Sequence, residues 1–188
     1  MYALDFYSSF ADPKSQNYTW NARSDYSIDA FVNGRSAYVF GYSYLADTIR
    51  QKAPNLRFDM AFVPQYNLNE PSINFANYWG EGVSAQSKQK AAAWDFLKFI
   101  SSKENLEKYY ANHKVPSARK DLVELQAQDV DVGVFATANL TARSFKRPEQ
   151  AKYDNIIGNM LDNVILKSRD FTDAVYDAEA QIQTLVRD

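Results

Sequence analysis

The stretch "DAFVNGRSAYVFGYSYLADTIRQKAPNLRFDMAFVPQ", residues 29–65, switches between helical and strand period, and its reading decides the fold. Ser27 can cap a short helix, "IDAFVN", that ends at Asn33-Gly34, where glycine is available for a left-handed C-cap. "SAYVFGYS" (36–43) then reads as a buried strand. "YLADTIRQK" (44–52) sets Leu45 and Ile49 on one helical face and closes at Ala53-Pro54. In "RFDMAFVP" (57–64) Phe58, Met60 and Phe62 alternate, the pattern of a half-exposed strand. Helix, strand, helix and strand in this order predict an α/β chain.

Upstream, Leu4, Tyr7 and Phe10 have helical spacing, stopped by Asp12-Pro13, and "KSQNYTWN" is a loop. Downstream, a polar loop (65–73) leads into Phe75–Val83, a poor strand because of its glycines. Ser87 is the expected cap of a helix over 88–101 that buries Ala92 or Ala93, Phe96, Leu97 and Ile100, with Trp94 in the core. Ser101 and Glu104 have capping-box spacing, and the helix they start turns Leu106, Tyr109 and Tyr110 inward, with Glu104 and Lys108 paired. "HKVPSARKDL" is a loop before a helical stretch at 118–127. Residues 129–135 fit loop or strand, and 137–150 read as a loop with Pro148 near a helix start. A helix over 149–167 and a last one, capped by Asp170 or Thr172 and packing Val175, Ala178, Ile182 and Leu185, complete the chain.

The 188 residues fit one ordinary domain or two small lobes, and 46% hydrophobic with 23% charged residues is a folding composition. A net charge of −2 without a basic run argues against nucleic acid as a partner. Without cysteine there is no disulfide, thiolate metal site or cysteine nucleophile. No apolar run approaches the ~20 residues of a membrane helix. The N-terminus reads like the inside of a domain rather than a signal peptide, and with about three strands visible the chain is expected to be part of a longer one. Aromatic residues are abundant, 12 Phe, 13 Tyr and 3 Trp, and they serve cores or flat half-polar binding surfaces.

On Phe31, Gly34, Ala37 and Pro64 the chain resembles the extracellular solute-binding proteins of ABC importers, family 1, the sugar-binding group related to maltodextrin-binding protein. "AAWDFLKFISSKEN" (92–105), "VPSARKDL" (115–122), "ARSFKRPEQ" (142–150), "NMLDNVI" (159–165) and "FTDAVYDAEAQIQTLV" (171–186) resemble further family segments in the family's order. The resemblance implies a type II periplasmic-binding-protein-like fold, two α/β lobes with a hinge, of which this chain is the C-terminal half. Residues 1–66 and 121–188 would belong to the second lobe, and 67–120 would cross to the first. The hinge crossings would fall near Gln65–Asn74 and Ser117–Leu122. The implied partners are a sugar or oligosaccharide and ABC permease subunits. Placement would be extracytoplasmic, with membrane association only through a lipid anchor or the permease, and no cofactor is called for.

Tyr78 and Trp79 offer flat faces for a pyranose, Gly80 and Gly82 let backbone approach a ligand, and Asn77 can both donate to and accept from a hydroxyl. Packing against another lobe is the competing role for the two rings. Gly41, Tyr42, Ser43 and Tyr44 lie where a strand gives way to a helix, a usual ligand position in α/β folds. In the family, the position of Tyr44 carries an aromatic, more usually Trp, that stacks on sugar. The competing role for Tyr42 and Tyr44 is core or rim packing. Phe145, in the loop with Arg143 and Ser144, is a third candidate face, and Lys146 and Arg147 could meet an anionic group or form a solvated basic loop. Trp20 reads as packing. His113, the only histidine, lacks partners for a triad or a metal site. Glu70 and Glu81 have no spacing that suits glycoside hydrolysis. A binding protein and not an enzyme is therefore expected; the alternatives are a carbohydrate-active enzyme or a binding-fold relic acting through protein contacts. An exposed apolar face on the 88–101 helix would favour self-association.

Overall fold

A computed structural model describes residues 2–21, 23–67, 69–145 and 147–187. In chain order the elements are α1 (Tyr2–Ser9), α2 (Ser27–Val32), α3 (Tyr44–Lys52), β1 (Asn74–Phe75), α4 (Lys90–Ile100), α5 (Lys103–Asn112), a 3-10 turn (Lys120–Leu122), α6 (Val123–Gln126), α7 (Gly133–Ala138), β2 (Ala142–Arg143), α8 (Gln150–Ile165) and α9 (Phe171–Arg187). Helices with a small parallel sheet are compatible with the expected α/β fold. The chain divides into two compact units, one of Met1–Ser27 with Phe145–Asp188 and one of Ile28–Ser144.

In the first unit, α9 packs along α8 through the small residues Ala174 and Ala178, both buried. Asp170 caps α9 by accepting the Thr172 N–H at 2.9 Å. Val175, Ile182 and Leu185 are half-buried along the same helix. The turn after α8 is a Schellman closure with Lys167 at φ 54°: its N–H bonds Val164 O at 3.2 Å, and the Ser168 N–H bonds Asn163 O at 3.0 Å. Lys167 Nζ also pairs with Asp12 at 3.0 Å, beside the turn that ends α1.

The second unit gathers its core around Ala30, Leu45, Ala46, Ile49, Leu122, Val123, Val132 and Ala136. Gly34, at φ +71°, closes α2 as the sequence predicts: its N–H bonds Phe31 O at 3.0 Å and the Arg35 N–H bonds Ala30 O at 2.8 Å. α3 spans the predicted residues and buries Leu45 and Ile49. Gly133 opens α7, where either loop or strand was expected. A Cβ there would lie 2.4 Å from the Ala127 carbonyl oxygen, so the close packing of α6 and α7 depends on its absence.

Several expectations are corrected. Among the described residues neither 36–43 nor 57–64 forms a ladder, and Tyr38 and Phe40 are 86% and 75% exposed. A strand's buried backbone needs a neighbour, and the described ladder instead joins Asn74 to Ala142 and Phe75 to Arg143. β2 thus falls in a stretch read as loop. The 88–101 helix starts at Lys90, and Ser87 serves a turn by accepting the Gln89 N–H at 3.1 Å. Its apolar face is not buried: Trp94, Phe96 and Phe99 are exposed and only Ala93 and Leu97 are half-buried. α5 is capped by Ser102 rather than Ser101, through the Asn105 N–H at 3.4 Å, and Tyr109 faces solvent. The Glu104–Lys108 pair forms at 2.6 Å.

Two glycine substitutions separate conformational strain from steric conflict. Gly34→Ala has open space around it and should cost about 1 kcal/mol through its left-handed φ alone. Gly133→Ala must displace backbone and should cost about 2 kcal/mol or more. Urea unfolding of both variants measures the difference.

Candidate functional site

Tyr42, Ser43 and Tyr44 sit at the N-terminal end of α3. The Leu45 N–H bonds Tyr42 O at 2.9 Å and the Ala46 N–H bonds Ser43 O at 3.3 Å. Leu45, Ala46 and Ile49 anchor the helix in the core, so the preceding turn has a fixed base. Above that base the Tyr42 and Tyr44 rings lie side by side, centroids 6.0 Å apart and planes tilted by 31°. Tyr44 is 68% exposed, and Tyr42 is partly covered.

Asn77, Tyr78, Trp79 and Gly80 follow directly on β1 and are all exposed, Trp79 almost wholly so at 97%. No heavy atom stands within 4 Å of where a Cβ on Gly80 or Gly82 would be. The stretch is held from its base. Asn74, buried, donates through Nδ2 to Thr141 Oγ1 at 2.8 Å, and the Ala76 N–H bonds Arg143 O at 3.1 Å. Gln65 closes the loop before it, accepting the Ile73 N–H at 2.8 Å and donating to Val63 O at 2.9 Å.

The return from α5 is held in the same manner. Gln126, buried, accepts the Ser117 N–H through Oε1 at 2.7 Å and donates through Nε2 to Val115 O at 3.0 Å. Arg119 forks onto Asp121 at 2.9 and 2.8 Å and reaches Ser101 O at 3.2 Å. Lys114 bonds Asp129 at 2.6 Å, and Arg50 bridges Asp131 and Asp47 at 2.5 and 3.2 Å. Sequence reading missed Asn74 and Gln126, because an amide in a polar context gives no sign of burial.

Phe145 belongs to the other compact unit. Its ring meets Tyr153 edge-on at 5.9 Å, and the Arg147 guanidinium lies 5.8 Å from its centre. Lys146 lies outside the described residues. Arg147 also pairs with Asp154 at 3.2 Å. Trp20 is half-buried, its indole N–H donating to Asp25 O at 3.0 Å. His113 stacks on Tyr109 with centroids 4.4 Å apart, and Glu70 accepts from Asn67 Nδ2 at 3.1 Å.

This geometry brings Tyr42 and Tyr44 together as one aromatic surface and sets Asn77–Gly80 as a second, on a clamped base. The chain belongs to the bacterial extracellular solute-binding protein family, whose model matches residues 3–136. That span includes both surfaces and stops short of Phe145. Membership places the chain outside the cytoplasm and implies a small-molecule solute and transporter partners; the family is generally not enzymatic. No curated protein matches the chain.

The Lys114–Asp129 pair makes the clamp sensitive to pH. The lysine hydrogen bond, then the Asp131 N–H, hold the Asp129 carboxyl below its ordinary 3.8. The same hydrogen bond raises Lys114 above its ordinary 10.5. The aspartate half therefore stabilises fully above pH 3.8 and fades as pH falls through its lowered value; the lysine half is complete below pH 10.5 and fades as pH rises through its raised value. Asp129→Asn keeps the Oδ1 that accepts the Asp131 and Val132 N–H groups. It should lower the urea midpoint at neutral pH, and its difference from wild type should shrink below pH 3.8 and above pH 10.5.

Proposed function

We propose that the chain is the C-terminal half of the substrate-binding component of an ABC importer and takes a sugar or oligosaccharide between two lobes. The observation that carries this reading is the exposed Tyr42–Tyr44 pair at 6.0 Å, seated on the buried base of α3 in a member of a solute-binding family. A pyranose presents a flat C–H face that stacks on such rings, and its hydroxyls need groups that both donate and accept. Tyr78 and Trp79 supply further faces, and Asn77 and Ser43 supply the polar groups. Phe145 is a third face in this reading.

In the proposed architecture 1–66 and 121–188 form the second lobe of a type II binding protein, and 67–120 crosses to the first. The bends fall near Gln65–Asn74 and Ser117–Leu122. Closure over the ligand then presents a form that docks on the permease. A lipid anchor or the permease itself holds the full-length protein at the membrane.

A thermal-shift panel of sugars tests the reading. A bound oligosaccharide raises the melting temperature by linkage and changes the fluorescence of the exposed Trp79. Tyr44→Ala should weaken binding about tenfold, the loss of one stacking contact. Peptides or polyamines that raise the melting temperature where no sugar does would remove the sugar claim.

A further inference from the structure

We propose that Asn33-Gly34 is a site of spontaneous covalent modification, at which Asn33 closes onto the Gly34 nitrogen as a succinimide and reopens as isoaspartate, undoing the closure of α2. Asn33 is the one asparagine in the sequence that glycine follows; each of the others precedes a residue whose side chain crowds the following backbone nitrogen. Asn33 and Gly34 are both exposed, and no heavy atom lies within 4 Å of where a Cβ on Gly34 would stand. Among the described residues the Asn33 carboxamide has no hydrogen-bond partner, so nothing holds it away from the neighbouring nitrogen. What restrains the reaction is backbone: the Asn33 N–H bonds Asp29 O at 3.1 Å and the Gly34 N–H bonds Phe31 O at 3.0 Å. Both bonds belong to the last turn of a helix only 6 residues long, and an end of that kind opens locally without unfolding the core.

With the turn open, the Gly34 nitrogen gives its proton to solvent base and attacks Asn33 Cγ. The N–Cγ bond forms, the Cγ–Nδ2 bond breaks, and Nδ2 takes a proton from solvent and leaves as ammonia. Water then opens the ring at either carbonyl, giving aspartate or, where the main chain is left running through Cγ, isoaspartate. Isoaspartate adds one carbon to the backbone ahead of Gly34. The bonds that close α2 then lose their register: the Gly34 N–H to Phe31 O, and the Arg35 and Ser36 N–H groups to Ala30 O at 2.8 and 3.3 Å. Ala30, the residue those last two bonds hold, is wholly buried. Either product also sets a carboxylate at the C-terminal end of α2, against the helix dipole and four residues from Asp29. This chemistry does not depend on which solute the chain holds.

Warm incubation of the folded chain at mildly alkaline pH, followed by peptide mapping with mass spectrometry, tests this. Trypsin releases residues 24–35, in which Asn33 is the only asparagine. That peptide should acquire the mass shift of NH2 replaced by OH and become a substrate for an isoaspartyl methyltransferase. The other asparagine-bearing peptides should stay unshifted over the same time. Asn33→Gln should remove the shift, because closure would then need a six-membered ring. The modified fraction, separated by ion exchange, should melt below the unmodified protein, while Asn33→Gln treated alike keeps its melting temperature. A 24–35 peptide that stays unshifted in the folded chain but shifts in urea overturns the proposal, because the closure of α2 then shields the nitrogen. So does a shift spread evenly over the other asparagines, or a modified fraction that melts like the unmodified one.

Discussion

A polar group removed from water must find a partner, and two buried side-chain amides, Asn74 and Gln126, find theirs across long stretches of chain. Asn74 grips Thr141, and Gln126 grips Val115 and Ser117 as a neighbouring strand would. Leaving one such buried group unmade costs about 1–3 kcal/mol, comparable to a sizeable share of a domain's net stability. The two amides tie β1 to Thr141 and the 115–117 turn to α6. They leave the stretch beyond β1 free to display Asn77, Tyr78 and Trp79.

The same division between held and displayed residues recurs at α3. Leu45, Ala46 and Ile49 are buried one helical turn from Tyr42 and Tyr44, which are not. Short alternation across Ser43 puts the two rings on one side, so they make a surface rather than two isolated contacts. A large ring in water forgoes the burial that normally stabilises it, and Trp79 forgoes nearly all of it. Rings held out from a rigid base suit a function in which something else covers them.

Elements governed by local chemistry were legible in the sequence: the Gly34 closure, the face of α3, the Asp170 cap and the Glu104–Lys108 pair each depend on residues a few positions apart. Elements governed by distant partners were not. β1 and β2 join Asn74 to Ala142, and no local period announces a ladder two residues long. The stretch 36–43 has strand composition yet no described neighbour, since composition specifies a willingness to pair and not the pair itself. Trp94 and Phe96 read as core because helical spacing marks an apolar face without saying whether anything lies against it. For the candidate site, residue type and order pointed to the rings, while the buried amides that position one of them gave no signal.

The candidate rings are not equivalent, and their surroundings rank them. Phe145 already has the Tyr153 edge beside it and the Arg147 guanidinium near its face, so a ligand would have to share or displace those contacts. Tyr44, beside the Tyr42 ring, and Trp79 are more open, at 68% and 97% exposed, and both lie within the span that matches the solute-binding family. Tyr42 is less open than either, at 38% exposed, with the Tyr44 ring beside it at 6.0 Å. Tyr44 and Trp79 thus offer the most open ring area of the candidates, each on its own surface.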